Sequence, residues 1–252
     1  MSLTDKFTAL ARTFTENSYH YVSAIIAAAG EGSRMQSSTT KQFLELNGKP
    51  LIINTLLAFD RSEYIDEIVI VAKEDEVAMY PHLLKEYGLK KVTKVVCGSD
   101  TRQKSVLNGL SAISDKADFV AIHDGARPLI TGEQIKSVVL HAFEFKAAAA
   151  ASKSKDTPKI VSSNAFIEKG VDRDTLWLMQ TPQVFSANLY RAAAYTAIEN
   201  GYEATDDCSL AERAGFPVKV VDCGYQNIKI TTPEDLKLAE IIMSERNSHD
   251  NK

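Results

Sequence analysis

A glycine-rich turn with two cations close behind it is the most chemically suggestive part of this sequence. The apolar run over residues 21–29 is followed by Gly30 and Gly32, and then by Arg34 and Lys41. Glycines let the backbone turn so that its amides point at an anion, and the two side chains add positive charge at the same place. The pattern predicts a binding loop for a polyphosphate.

A second charged group follows a later apolar run. Asp124 and Arg127 lie in HDGARP, directly after the strand predicted for residues 119–123. A carboxylate there suits Mg²⁺ held against phosphate oxygens, and an arginine contacts phosphate in bidentate fashion. Alternatively, Asp124 caps the next segment or pairs with Arg127. We expect His123 to be structural, because a largely ionised phosphate nucleophile needs no general base.

A lysine near the end of the chain is a further candidate. Lys229 stands between two isoleucines in a strand predicted for residues 227–230, so its side chain points to the opposite face from theirs. Taken alone, it would be interpreted as a solvated lysine at the edge of a sheet. Together with the other cations, it is a candidate phosphate contact.

The elements that must position these groups alternate between strand-like and helix-like stretches, which predicts an α/β fold with a mostly parallel sheet and helices on both faces. Ligands bind beyond the carboxyl ends of such strands. The polar motifs follow predicted strands there, or come late in the chain: GSDTRQKS, HDGARP, TDDCS and NIKIT.

The alternation breaks between residues 153 and 183. Two strands are predicted at residues 160–168 and 176–184, joined by a polar turn, and we interpret the segment of about residues 153–184 as a protruding arm. An isolated two-stranded ribbon is barely stable. The polar residues of the arm therefore either face solvent or reach the site of a neighbouring subunit; they are Thr157, Lys159, Arg173 and Thr181.

Two common nucleotide-binding motifs do not fit the glycine-rich turn. A dinucleotide-binding fingerprint needs a third small residue where Met35 stands, and an acidic residue about 20 positions further on, where residues 49–51 offer none. The Walker loop fails because GK[ST] is missing.

Length and composition limit the possible domain organisation, partners and location of the protein. The 252 residues fit an extension over residues 1–20, with a short predicted helix, and a single domain over residues 21–246. With 29 Lys and Arg against 33 Asp and Glu, the charge balance indicates no nucleic-acid partner. No apolar run is long enough to span a membrane. The three cysteines are widely scattered, which argues against a disulfide framework and a structural zinc site and favours a location in the reducing cytoplasm.

Seven motifs in order resemble those of the 2-C-methyl-D-erythritol 4-phosphate cytidylyltransferases, a family of pyrimidine nucleotidyltransferases, over about residues 22–240: AAAGEGSRM, KQF, GSDTRQKS, HDGARP, LWLMQTPQVF, TDDCS and NIKITTPEDL. The resemblance implies a GT-A-like nucleotidyltransferase fold and a homodimer formed through the arm. It also implies transfer of the cytidylyl group of CTP to a sugar phosphate with Mg²⁺, releasing pyrophosphate.

The resemblance also implies residue roles. Arg34 and Lys41 would stabilise the transition state, supported by Lys229. The CTP-binding residues would be Ala28, Ala29, Gly30, Gly32, Asp100 and Ser105. The acceptor-binding residues would be Asp124, which is also the expected metal ligand, Arg127 and Thr157, with Arg173 and Thr181 supplied by the partner chain. The chain departs from the family pattern at Thr40, Ser99 and Gly125, which are usually proline, glycine and alanine.

Three other functions are considered. A ribitol-5-phosphate cytidylyltransferase would share the fold and the CTP site, although the alanine before Arg127, in place of valine, favours methylerythritol phosphate. A non-catalytic CTP-binding relative would lack turnover, yet the candidate charged residues are all present. A dehydrogenase would need a nicotinamide cofactor.

Overall fold

Runs of β-branched and small apolar residues form the centre of the fold. The structure is a computed structural model, and it describes residues 19–30 and 40–250, without the side chains of the last two. Strands β1 (Val22–Ala27), β4 (Glu67–Ala72) and β6 (Phe119–Asp124) are buried almost throughout. Such strands need cover on both faces, which parallel sheets obtain from helices. The predicted helix near the N-terminus lies outside the described residues.

The central sheet has seven strands, in the order β11 (Lys219–Asp222), β7 (Ala147–Lys153), β10 (Trp177–Ser186), β6, β1, β4 and β5 (Val92–Cys97). Strand β1 is parallel to β4 and β6, whereas β10 runs antiparallel to β6 and β7. Two small hairpins lie outside it: β2 (Glu45–Leu46) with β3 (Lys49–Pro50), and β8 (Lys159–Val161) with β9 (Ile167–Gly170).

Helices cover both faces of this sheet. Side chains alternate along β1, so that Ile26 joins one apolar cluster and Ile25 joins the other. Polar residues begin several helices, as Thr131 does with a capping box. The α-helices are Leu51–Asp60, Tyr80–Glu86, Arg102–Ala112, Gly132–Phe145, Ala187–Glu199, Asp207–Arg213 and Pro233–Asp250. The mostly parallel α/β architecture predicted from the sequence is confirmed.

Three details of the predicted elements are wrong. The strand expected at residues 176–184 is present as β10, but it pairs within the central sheet and not with an arm strand. The single strand expected at residues 160–168 is instead the arm hairpin of β8 and β9. The protruding part therefore ends before β10. Residues 227–230 do not form the predicted strand. The Ile230 amide donates one hydrogen bond to the Ala126 carbonyl, and packing of its side chain in the core holds the segment in place.

None of the helices in the described part of the chain combines the length and the apolar character needed to cross a bilayer. The Pro233–Asp250 helix is the longest of them, and charged residues are spread along it.

Candidate active site

A cavity of about 510 Å³ opens at the carboxyl ends of β1, β4, β5 and β6. Seven of the predicted site residues line it: Ala29, Gly30, Lys41, Asp100, Ser105, Asp124 and Lys229. The other lining residues are Ala27, Gln42, Lys73, Glu74, Gly98, Ser99, Thr101, Arg102 and Ala126. The structure thus brings together groups that are far apart in the sequence. Gly32 and Arg34 lie outside the described residues.

Asp124, the last residue of β6, has three cations around its carboxylate. Its Oδ2 lies 2.9 Å from Lys229 Nζ and 3.7 Å from Arg127 Nε, and its Oδ1 lies 3.5 Å from Arg102 Nε. Burial by itself raises the pKa of Asp124, but the cations outweigh burial and hold that pKa well below its usual range. The carboxylate is therefore ionised at neutral pH, and it fixes the directions of the surrounding cations.

Arg102 connects this carboxylate to a second buried acid. It donates from NH2 to Asp207 Oδ2 at 2.7 Å, and Tyr190 donates its hydroxyl to Asp207 Oδ1 at 2.6 Å. Burial lowers the pKa of Arg102, but Asp207 and Asp124 more than reverse this, so the guanidinium stays charged. Sequence reasoning missed Arg102 and Asp207. Arg102 directly follows the helix N-cap Thr101 in GSDTRQKS, and Asp207 directly follows the N-cap Asp206 in TDDCS. That position was the only signal in the sequence that could have identified them.

Thr181 lies behind Asp124 and not in the cavity wall. It is 4 % exposed in β10, accepts a hydrogen bond from the Asp124 amide at 3.0 Å, and lies 3.0 Å from His123 Nδ1. The prediction that Thr181 reaches the acceptor from a partner chain is therefore wrong. A strand of the central sheet holds it inside its own subunit.

His123 is a buried, neutral histidine. Its Nδ1 accepts from the Thr181 hydroxyl, so its Nε2 carries the proton and donates to the Arg127 carbonyl at 3.2 Å. Burial lowers the pKa of His123 to about 3. Both ring nitrogens are occupied and the ring is fully buried, which agrees with the structural role expected from the sequence.

Arg127 also stands behind Asp124. It does not line the cavity, and its NH1 donates to the Asn227 carbonyl at 2.7 Å. Burial lowers the pKa of Arg127. In this structure Arg127 supports Asp124 and the segment that carries Lys229, which differs from the direct acceptor contact expected of it. The salt bridge to Asp124, the alternative left open by the sequence, is present.

The ends of β1 and β5 approach closely on the opposite side of the cavity. A Cβ added to Gly98 would lie 2.3 Å from Ala29 Cβ, so this approach requires glycine. Ser105 Oγ accepts from the Ser99 amide at 2.9 Å and donates to the Thr101 carbonyl at 2.8 Å. These bonds fix the loop that presents polar groups to the cavity.

Two of the predicted CTP-binding residues, Asp100 and Ala28, lie in surroundings that differ from each other. Asp100 is exposed, and its hydrogen bond with Lys104 Nζ at 2.7 Å lowers its pKa. Ala28 does not line the cavity, because its side chain is fully buried in the core. Its carbonyl accepts from Gln42 Nε2 at 3.3 Å, and Gln42 follows Lys41 in a short 3₁₀ turn. Ala28 thereby anchors the turn that carries Lys41.

Thr40 precedes this turn at the position where the family usually has proline. Its φ of −62° is the value that a proline ring imposes, so the turn has the conformation that proline would fix. The departure changes the rigidity of the segment and not its geometry.

Thr157 and Arg173 lie on the arm, away from the cavity of their own subunit. Both are exposed, and Arg173 makes a long hydrogen bond of 3.5 Å to the Lys155 carbonyl. Their predicted contact with the acceptor therefore requires a second subunit.

The described residues do not make a metal site by themselves. Within residues 19–30 and 40–250, no group of three His, Cys, Asp or Glu side chains could hold a metal ion. Asp124, the expected Mg²⁺ ligand, is already paired with cations. A divalent cation would have to approach these positive groups, so its ligands would come mainly from substrate phosphates and water.

Residues 22–245 match the family model described as 2-C-methyl-D-erythritol 4-phosphate cytidylyltransferase. Curated proteins of that name from Caldanaerobacter subterraneus and Geobacillus kaustophilus are each 44 % identical over 223 residues, which is 88 % of this chain and 98 % and 97 % of theirs.

Solved structures agree with these sequence matches. The crystal structure of 4-diphosphocytidyl-2C-methyl-D-erythritol synthase from Anaerococcus prevotii has a TM-score of 0.80 at 33 % identity, covering 89 % of this chain and 99 % of that one. The crystal structure of 2-C-methyl-D-erythritol 4-phosphate cytidylyltransferase from Thermus thermophilus has a TM-score of 0.71 at 31 % identity, covering 88 % and 98 %.

Proposed function

Because this chain belongs to the 2-C-methyl-D-erythritol 4-phosphate cytidylyltransferase family, we propose that it transfers the cytidylyl group of CTP to 2-C-methyl-D-erythritol 4-phosphate. The products are 4-diphosphocytidyl-2-C-methyl-D-erythritol and pyrophosphate, in non-mevalonate isoprenoid precursor synthesis. One structural observation about individual residues supports this proposal. Lys41, Arg102 and Lys229 line one cavity, and the last two lie beside the Asp124 carboxylate, which is an arrangement suited to several phosphate groups.

The reaction needs positioning and charge neutralisation more than proton transfer. The phosphate of the acceptor attacks the α-phosphorus of CTP in line, the new P–O bond forms, and the bond to pyrophosphate breaks. Lys41 and Lys229, together with Arg34, stabilise the negative charge on the oxygens around the α-phosphorus. Asp124 orients Lys229 and Arg102 for this role, and the neutral His123 takes no proton.

Mg²⁺ is the proposed divalent cation, and it would be held mainly by the triphosphate. Such a cation would supply positive charge to phosphate oxygens and so assist departure of pyrophosphate. Asp124 is at most one of its ligands, since Lys229 lies within hydrogen-bonding distance of the same carboxylate.

The active form is proposed to be a homodimer built through the arm. The arm and the start of β10 expose large apolar side chains, which an isolated hairpin leaves in water: Ile160, Val161, Phe166, Ile167 and Leu178. A second copy of the chain would cover them and bring Thr157 and Arg173 to the partner's cavity. Neither residue lines the cavity of its own subunit.

A cytoplasmic location is also part of the proposal. Cys97, Cys208 and Cys223 are all free thiols, as a reducing compartment maintains them. Burial raises the pKa of Cys223 to about 11, which makes this thiol unreactive.

A coupled assay of pyrophosphate release tests the function. The protein is mixed with CTP and Mg²⁺, and each acceptor is added in turn. Methylerythritol 4-phosphate should give turnover at a rate at least about 10²-fold above that with ribitol 5-phosphate, since only the first should fill the acceptor site with its polar groups paired. Equal rates, or no release with either acceptor, would refute the proposal.

A further inference from the structure

Behind the cavity, three side chains form a continuous hydrogen-bonded series from the core to the site. Tyr190 is 1 % exposed, stacks on Phe185, and donates to Asp207. Asp207 is also 1 % exposed and accepts from Arg102 on its other oxygen. A carboxylate so deeply buried needs such partners, because an unpaired buried charge is strongly destabilising.

Arg102 is the member of this series that meets the cavity. Its side chain is 30 % exposed and lines the cavity wall, and its Nε faces Asp124 at 3.5 Å. Among the described residues, the only hydrogen bond of its side chain goes to Asp207. The guanidinium has five N–H donors in a fixed plane, so donors remain for an anionic ligand.

The way Arg102 is held matters because a free arginine side chain samples many conformations. The Asp207 bond fixes the end of the guanidinium, and the Tyr190 hydroxyl fixes Asp207. A group held in place before the reaction stabilises charge without reorganising during it.

We propose that Asp207 and Tyr190 are positioning residues that hold Arg102 against Asp124, so that its free donors bind phosphate oxygens of the substrates. The inference rests on the proposed function for the identity of those phosphates. It explains how Arg102 is held in place, and it assigns a role to two buried residues that lie behind the cavity wall.

The first test removes a single hydroxyl. Tyr190→Phe keeps the ring stacked on Phe185 and takes away only the bond to Asp207. We expect kcat for pyrophosphate release to fall about 3- to 10-fold, the size of the loss of one typical hydrogen bond, because Tyr190 acts on the site only through Asp207. The KM for CTP should stay within about twofold, because Arg102 acts beside Asp124 and Lys229, where the new bond forms.

Tyr80→Phe is the matched control. Tyr80 is also fully buried, but its hydroxyl has no hydrogen-bond partner among the described residues, so its loss should leave kcat within about twofold of the wild type. Equal kcat in Tyr190→Phe and the wild type would overturn the proposal. So would equal losses in both variants with parallel drops in melting temperature, because these would indicate a purely structural effect.

A double-mutant cycle tests the order of the series. Asp207→Asn keeps the shape of the side chain but removes its charge, and should lower kcat at least about 10-fold. If Tyr190 acts through Asp207, adding Tyr190→Phe to Asp207→Asn should cost no more than a further twofold or so. Independent, multiplying losses would contradict the proposal.

A measurement without turnover separates this inference from the proposed function. The ¹⁵N heteronuclear NOE of the Arg102 Nε–H group, assigned by its loss in Arg102→Lys, reports how rigidly the side chain is held. It should be high in the wild type and in Tyr80→Phe and clearly lower in Tyr190→Phe. An unchanged NOE would overturn the positioning role even if the enzyme is active. A wild type that releases no pyrophosphate would refute only the proposed function.

Discussion

Lys229 Nζ lies 2.9 Å from Asp124 Oδ2, and this pair joins the end of β6 to an irregular segment near the end of the chain. The carboxylate has Arg102 and Arg127 on its other sides, so Lys229 is held by one acid while it faces the cavity. A lysine placed in this way carries its charge at a fixed point before any substrate arrives. The proposed mechanism depends on that arrangement.

Replacing Lys229 should therefore impair chemistry more than binding. We expect Lys229→Met to lower kcat at least about 10²-fold, the loss typical for a preorganised charge in a transition state. Steady-state pyrophosphate release checks this. Lys237→Met, which changes an exposed lysine of the C-terminal helix, should keep kcat within twofold or so of the wild type. Similar kcat values for the two variants would remove Lys229 from the mechanism.

The secondary structure predicted around Lys229 was wrong. The isoleucines around it suggested a strand, whereas residues 227–230 are irregular and are held by packing of Ile228 and Ile230. Its side chain nevertheless points to the predicted site, because the two isoleucines are directed into the core. Alternating polarity predicted the direction of the side chain but not the backbone hydrogen bonding.

The buried His123 should make the protein less stable as the pH falls. Its pKa is about 3 in the folded state and about 6.5 when unfolded, so the unfolded chain binds the extra proton between these values. The stability that the neutral ring contributes is fully present above about pH 6.5 and is lost as the pH falls toward 3. The slope from this group approaches about 1.4 kcal/mol per pH unit.

Urea denaturation of His123→Gln at several pH values measures this contribution. Between about pH 6 and pH 4, its free energy of unfolding should depend less on pH than that of the wild type. His82→Gln, at a side chain that is 85 % exposed, should keep the wild-type slope. If the free energy of unfolding depends on pH with the same slope in all three proteins, His123 is not buried as a neutral ring in the folded state.

Gly98 should not tolerate even a methyl group. A Cβ there would lie 2.3 Å from Ala29 Cβ, so Gly98→Ala must push apart the ends of β1 and β5 that line the cavity. We expect a loss of about 1–3 kcal/mol in the free energy of unfolding and a higher KM for CTP. Gly132→Ala is the control, since no atom lies within 4 Å of its added Cβ. A stable Gly98→Ala variant with unchanged KM would contradict the packing described at the cavity wall.

Mixed dimers test whether the arm completes the partner's cavity. Arg173→Ala and Lys229→Ala should each be nearly inactive alone. After joint unfolding and refolding in equal amounts, about a quarter of wild-type activity should return, because half of the dimers are mixed and each mixed dimer has one intact site. Absence of recovery, with dimers confirmed by sedimentation, would place Arg173 in its own subunit's site. An Arg173→Ala variant that is active by itself would remove Arg173 from the site altogether.

The sequence predicted the strand ends well and the partners of buried charges poorly. The β-branched runs of β1, β4 and β6 have few alternatives to burial, so the residues that follow them were correctly located at one edge of the sheet. Thr181 was misplaced because its polar type suggested a surface ribbon, whereas β10 inserts it between buried strands. The Arg102–Asp207 pair joins two helix starts that are distant in sequence, and local patterns carry no information about such pairing.

The most direct test of the central claim is a competition between acceptors in one reaction. The protein is incubated with CTP, Mg²⁺ and equal concentrations of methylerythritol 4-phosphate and ribitol 5-phosphate, and the diphosphate products are identified by mass spectrometry. The structure and the family together predict 4-diphosphocytidyl-2-C-methyl-D-erythritol as the dominant product, with equimolar pyrophosphate. A dominant ribitol product, or no diphosphate product from CTP, would contradict the account.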